Sequence, residues 1–428
     1  MYKNLNWFII AFLTFGLFIA FYINVSCPAY KTATRKTQLE SSLESIMKEY
    51  GVTGCSLVVI KNKKNLFTFN YGFADIAKNK KMTPFHAIRL ASVSKLLTSI
   101  LLLNVTENNP KVLQSTVSKQ LGIPLENPYF KGTKITLREL LTHTSSFVPY
   151  LITANKFMEQ SITNPQLNIS DLILKDGKFY QEYYWDDAYP PKERYNYSGF
   201  NFILIATIME KLTNQRFNQI AHSKLINELE LKNTHLSTSL PYAETKYAIG
   251  YQYIGDQPTK TIDDNNFQLR ILNKKYKIGR NPTIHAPQAG FRSNVVDLSQ
   301  IMIMLLNNGQ YKTKQILNQN SINLLETPAF KVTSTMQRGL GSEINYGFIP
   351  NVKMVGHSGN AYGILTHFFY NREKDFGVIF IINGLKMQAY EEGGDHLLIE
   401  KEIEQLIYKD LIQTKDSVNV VTENTQQL

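Results

Sequence analysis

Cysteine is nearly absent from this chain: there are two in 428 residues, Cys27 and Cys55. That scarcity argues against a disulfide framework and against a cysteine-based metal site. No set of residues has metal-ligand spacing, and the glycines form no phosphate-binding loop. Internal repeats and low-complexity blocks are missing, and no G-x-S-x-G elbow surrounds the serine at 358. Acids are the scarcer charge, 35 Asp+Glu against 46 Lys+Arg, which gives a formal net charge of +11. The lysines are scattered in short runs such as "KNKKN" at 61–65, so the excess reads as general surface charge with no nucleic-acid partner.

What is present describes a protein with a substantial core. Hydrophobic residues make up 43% and aromatic residues 12% of the chain, and its length suits one large domain or two ordinary ones. From Trp7 to Val25 the chain is uncharged and about as long as a bilayer-spanning helix, with Lys3 before it. "INVSC" before Cys27 loosely matches a lipoprotein cleavage site, although Asn24 suits it poorly. Lys31, Arg35 and Lys36 follow, and the positive-inside tendency would hold that flank in the cytoplasm. The expectation adopted is an anchor or signal segment over 1–30, a catalytic domain over 31–411, and a flexible tail over 412–428. Residues 7–25 would provide the membrane contact, with the domain facing the periplasm or cell exterior.

Periodicity sets out the domain. "TQLESSLESIMKEYG" places Leu39, Leu43, Ile46, Met47 and Tyr50 on one helical face, with Gly51 as the stop. "SLVVI" and "LFTFNYG" read as a hairpin around the lysine turn. A mostly helical insert follows over about 104–240, with "FNFILIATIMEKLTNQ" as its clearest helix. "SNVVDLSQIMIMLLNNG" is another helix, capped by Ser293 or Asn294 and stopped by Gly309. "GILTHFFYN" and "VIFIIN" make a late hairpin, and a closing helix runs from about Asp395 to Leu411. Strands from both ends of the chain must then share one antiparallel sheet covered by helices, an α+β fold.

Within "RLASVSKLLTSI", Ser92 stands three residues before Lys95, on one helical face and within side-chain reach. A serine hydroxyl is a weak nucleophile until a base removes its proton. The apolar turns behind Lys95 would lower its pKa enough to relay that proton, and the helix dipole favours an oxyanion at Ser92. The same spacing recurs at Ser45 and Lys48 on an ordinary amphipathic surface, so the pair carries little weight alone.

Two further stretches supply the company it needs: "PPKERYNYSGFNF", with Tyr195 and Tyr197, and "MVGHSGNAYG", with His357, Ser358 and Gly359. With "ITLRELLTHTSSF" and "PQAGFRSNVVDLSQ", these segments resemble, in order, the motifs of the serine β-lactamase and penicillin-binding protein superfamily. The resemblance lies with the branch that holds class C β-lactamases, D-stereospecific peptidases and esterases, and it covers about Thr37 to Gly384. It implies a β-lactamase/transpeptidase-like fold and Ser92 as the acylated nucleophile supported by Lys95. Tyr197 would be base and then proton donor, with Tyr195 as the slipped-register alternative, and the cations stabilising its phenolate would be Lys95 and a protonated His357. The backbone N–H groups of Ser92 and Asn360 would form the oxyanion hole beside Gly359, and Ser358 would hydrogen-bond the substrate. His143 would be a structural loop residue. No cofactor and no metal are implied.

Two positions depart from the pattern. The asparagine expected two residues after the tyrosine is Gly199, with Asn201 as the nearest substitute, and the K-T-G lysine is His357. Asp186 and Asp187 read as solvated carboxylates, and Trp185 as lining a cleft or packing a lid. The function expected is an acyl-enzyme hydrolase of amides or esters, small molecules or peptides, with D-Ala-D-Ala-type cell-wall peptides and β-lactams as the candidates. Its alternative is a catalytically weak penicillin-binding or sensor module on the same fold.

Overall fold

The structure, a computed structural model, describes residues 28–148, 156–157, 159–161, 164, 166–236, 238, 247–261, 276–390 and 396–413. The apolar stretch Trp7–Val25, Cys27 and the tail beyond 413 lie outside the described residues. Among the described residues no helix is long and apolar enough to cross a membrane.

The fold is α+β, built on a nine-stranded antiparallel sheet. Helix α1 (Pro28–Glu49) leads into β1 (Gly54–Lys61), β2 (Lys64–Asp75) and the short β3 (Lys80–Lys81). Helix α2 (Val93–Thr106) carries the Ser92–Lys95 pair, α3 (Leu137–Leu141) lies in the insert, and α4 (Phe200–Thr213) follows the tyrosine motif. After α5 (Val295–Leu306) come β4 (Phe330–Lys331), β5 (Met336–Arg338), β6 (Glu343–Asn345), β7 (Met354–Ala361), β8 (Ile364–Asn371) and β9 (Phe376–Ile382), then α6 (Leu398–Ile407). The order across the sheet is β4-β5-β6-β7-β8-β9-β1-β2-β3.

An early strand and a late strand meet inside this sheet. β1 pairs with β9 from Cys55↔Ile382 to Lys61↔Phe376, and with β2 around a turn in which Asn62 and Lys63 both take positive φ, 51° and 58°. That is the conformation whose twist matches a tight hairpin. As a central strand, β1 is buried on both faces. Leu57 and Val59 join Leu39, Leu43 and Met47 of α1 and Ile399, Ile403 and Ile407 of α6, whereas Val58 and Ile60 join α2 and α5. The result is three layers, with helices on both faces of the sheet.

Helix α5 is capped by Asn294, whose side chain accepts from Asp297 N, which settles the choice between Ser293 and Asn294. Three short late strands, β4 to β6, have no alternating pattern to announce them, and β7 stands as a strand of its own before the β8–β9 hairpin. A small separate sheet pairs Ile88–Arg89 and His235–Leu236 with Phe291–Ser293. It ties the "PQAGFRS" stretch to the residues just before Ser92.

Candidate functional site

The turn into α2 is held by the 289–291 stretch. Leu90 N donates to Phe291 O at 2.8 Å, and Arg89 Nε donates to Ala289 O at 3.0 Å. Ala91 takes φ 46°, a left-handed conformation unusual for a residue with a Cβ, and the chain then enters the helix at Ser92. Ser92 occupies the N-cap position, where a serine hydroxyl ordinarily bonds a backbone N–H, yet it makes no such bond. Lys95 Nζ donates to Ser92 Oγ at 3.1 Å instead, and to Gln288 O at 3.1 Å. Lys95 is 3% exposed and so enclosed, whereas Ser92 is only half-buried.

Tyr197 comes from the loop before α4. Its ring centroid lies 4.8 Å from Lys95 Nζ and 6.2 Å from the His357 ring. Tyr195 sits further along the same wall, 5.9 Å from the Arg338 guanidinium. The structure therefore brings Ser92, Lys95, Tyr197 and His357 into one cluster.

His143 fixes the tyrosine loop. Its ring lies against Tyr197 at 4.4 Å, Ser198 N donates to its Nδ1 at 3.0 Å, and Asn196 N donates to its carbonyl at 2.8 Å. The two bonds clamp the backbone on either side of Tyr197. Asp186 assists and is not solvated. It is buried, accepts from Asn196 Nδ2 at 2.6 Å and from two backbone N–H groups, and lies 3.7 Å from Arg194. Asp187 is exposed. Trp185 is buried and stacks on Phe147 at 4.2 Å, so it packs the loop.

β7 forms the facing wall. β6 pairs only with Met354 to Gly356, which leaves the same edge of His357 to Ala361 without a strand neighbour, facing the start of α2. A Cβ placed on Gly359 would lie 2.4 Å from Leu90 O and 2.9 Å from Ser92 N, so only glycine lets the strand approach this closely. Gly359→Ala should therefore push β7 off the helix start and slow covalent reaction at Ser92 by about tenfold or more. Time-resolved labelling with a fluorescent penicillin measures it.

Two expectations are altered by the geometry, and one further residue enters the site. Arg338, 1% exposed and never suspected from the sequence, puts its guanidinium 3.4 Å from His357 Nε2 and 3.5 Å from Glu343. His357 is neutral: burial, then Arg338 and Lys95, push its pKa down to about 3. Its Nδ1–H donates to Ser358 O at 2.6 Å, leaving Nε2 to accept from Arg338. His357 is therefore not one of the cations of this site, and the group that faces its ring is the Arg338 guanidinium. Ser358, given to the substrate on sequence grounds, donates its hydroxyl to Glu400 of α6 at 2.5 Å, and exposed Asn360 reaches Tyr390 with its side chain at 3.3 Å.

The carboxamide expected at 199 is not replaced by Asn201, which is fully buried and bonded to Ser145 at 2.8 Å, with His143 at 3.4 Å. Gly199 has an ordinary helical backbone, φ −64°. The stem of Gln288 lies beside the place where a side chain would start, in ordinary van der Waals contact, its Cγ 3.4 Å from a built Cβ.

The neutral histidine sets a pH dependence of stability. An unfolded imidazole protonates near 6.5, whereas His357 in the folded chain stays neutral down to about 3. Between those values the unfolded state holds the extra proton, so this residue lowers stability as pH falls. His357→Gln should make the unfolding free energy less steep between pH 6.5 and 4, by up to about 1.4 kcal/mol per pH unit. Denaturant titrations across that range check it.

Known proteins share this fold. The Beta-lactamase family model matches residues 39–401. The chain is 23% identical to Protein flp of Staphylococcus aureus (strain MW2) over 399 residues, covering 91% of this chain and 72% of that protein. It is 26% identical over 201 residues to the teichoic acid D-alanine hydrolase of Staphylococcus aureus, covering 46% of this chain and 44% of that protein. Among solved structures it is similar to a beta-lactamase/D-alanine carboxypeptidase from Pseudomonas syringae, with TM-score 0.64, 19% identity, and coverage of 89% of this chain and 99% of that one. The octameric penicillin-binding protein homologue from Pyrococcus abyssi shares the fold at TM-score 0.61 and 22% identity, covering 81% and 73%. A family match over residues 39–401, on a fold shared with these structures, means that the chain belongs to the beta-lactamase family.

Proposed function

We propose that this protein is a serine hydrolase that forms an acyl-enzyme on Ser92 and acts on D-alanyl amides or esters of the cell envelope. One observation carries the reading: a serine hydroxyl at a helix start that leaves its backbone partners and takes its hydrogen bond from a buried lysine 3.1 Å away. Ser92 Oγ attacks the substrate carbonyl carbon, and its proton passes through Lys95 and Tyr197 to the leaving amine or alcohol. Water then attacks the ester carbon, returns a proton to Ser92 Oγ and releases the acid. The N–H groups of Ser92 and Asn360 meet the oxyanion in this scheme, at the close approach that Gly359 allows.

The D-alanyl substrate class is supported by two similar proteins, one named a teichoic acid D-alanine hydrolase and one a D-alanine carboxypeptidase. The apolar segment Trp7–Val25 supports an anchor that leaves the domain facing the periplasm or cell exterior. Gly199, with Gln288 beside it, favours a second reading, a penicillin-binding or sensor module that acylates and does not turn over. A fluorescent penicillin and a chromogenic D-alanyl ester separate the two. A hydrolase labels transiently and releases product continuously; a sensor stays labelled; absence of labelling and of product ends both readings.

A further inference from the structure

His357 and Ser358, neighbours in β7, are gripped by the two ends of one buried chain of polar groups. Starting at His357 Nε2, Arg338 is 3.4 Å away, and Glu343 lies 3.5 Å beyond it. Glu343 meets His396 Nε2 at 2.5 Å, and His396 Nδ1 lies 3.5 Å from Glu400. Glu400 then accepts the Ser358 hydroxyl at 2.5 Å and closes the circuit around the strand. A branch continues from Glu400 to His367 at 3.0 Å and on to Glu404 at 2.8 Å. Arg338, Glu343, His396 and Glu400 are each at most 5% exposed.

Apolar side chains of equal volume would hold α6 on the sheet at least as firmly, because ion pairs lose much of their attraction to desolvation. What the circuit adds is direction, since charge-assisted hydrogen bonds tolerate little change in donor and acceptor placement. The direction falls on the strand that lies against Ser92 N–H through Gly359.

We infer that Glu400 is a positioning residue for acylation: by binding Ser358 it fixes the placement of β7 opposite Ser92. The inference rests on the reading of Ser92 as nucleophile. Helix α6 is thereby part of the working site although it touches no reacting atom. The test uses the full-length chain, with Glu400→Ala, Glu400→Gln, Ser358→Ala and the double variant Ser358→Ala/Glu400→Ala. Fluorescent penicillin labelling separates the acylation rate constant from the probe's binding constant, and hydrogen exchange follows the amides of 354–361.

Glu400→Ala and Ser358→Ala should each lower the acylation rate constant roughly ten- to a hundredfold, the cost of a shift near 1 Å in a catalytic constellation. Probe binding should change little, and the double variant should fall no further than Glu400→Ala alone. Glu400→Gln keeps an acceptor for Ser358 while losing the charge, so it should lower the melting temperature yet hold most of the rate. This separates positioning from support of the fold. Wild-type acylation rates in Glu400→Ala, or losses that multiply in the double variant, would overturn the inference. Should the wild type fail to label, the acyl-enzyme reading falls on its own. Exchange then decides whether Glu400 holds β7: faster exchange over 354–361 in Glu400→Ala upholds the grip, and unchanged exchange rejects it.

Discussion

Ser92→Ala will fold and will form no covalent adduct with a fluorescent penicillin or with an activated D-alanyl ester. The residue is half-buried, and its hydroxyl makes no helix-capping bond, so alanine there removes the proposed nucleophile at little cost to the helix. Lys95→Ala and Tyr197→Phe should keep the proposed nucleophile and lose the proposed proton transfer, which lowers the labelling rate about 100- to 10,000-fold. Lys95→Ala carries a second effect, because Gln288 O and the Tyr197 ring both lose the ammonium that now lies between them. Intact-mass spectrometry reads the adduct directly. An adduct on Ser92→Ala would move the nucleophile elsewhere and dissolve the proposed site.

Arg338→Met comes next in size, and its effect is on stability as well as on the site. The substitution keeps the buried volume and removes the guanidinium, which leaves Glu343 with His396 and Asn345 as its partners. Breaking a buried pair from one side costs about 3–5 kcal/mol. The retained His396 contact places this variant at the low end, near 3 kcal/mol, measured as the shift in urea midpoint at constant slope. The same variant removes the larger of the two cationic influences on His357, so its pKa should rise from about 3 toward the ordinary histidine range, followed by NMR of its ring protons. An unchanged midpoint and an unchanged His357 titration together would mean that Arg338 does not act on this site.

Much of the fold was legible because it is local. Leu39, Leu43 and Met47 recur at helical spacing, and each lies buried against the sheet. The lysine turn between β1 and β2, the cap at Asn294 and the late hairpin are likewise short-range patterns. β4 to β6 were not legible: two or three residues each, they have too little length for alternation to register. Arg338 and Glu343 sit on those strands, so the charges behind His357 passed unnoticed with them. Asp186 was misread for a related reason. Adjacent acids ordinarily face water, and only the loop that folds back on Asn196 and Arg194 buries one of them.

The spacing of Ser92 and Lys95 and the order of the family's segments follow from the sequence alone, because one helical turn sets the first and chain order sets the second. Which face Ser358 turns to, whether His357 carries a proton, and what fills the place beside Gly199 were decided only by the tertiary structure. Strand alternation sends neighbouring side chains to opposite faces of the sheet, and the partners waiting there come from distant parts of the chain: Arg338 on one side, Glu400 on the other. Charge state and hydrogen bonding depend on burial and on those partners, and neither is encoded within a few residues of the group they govern.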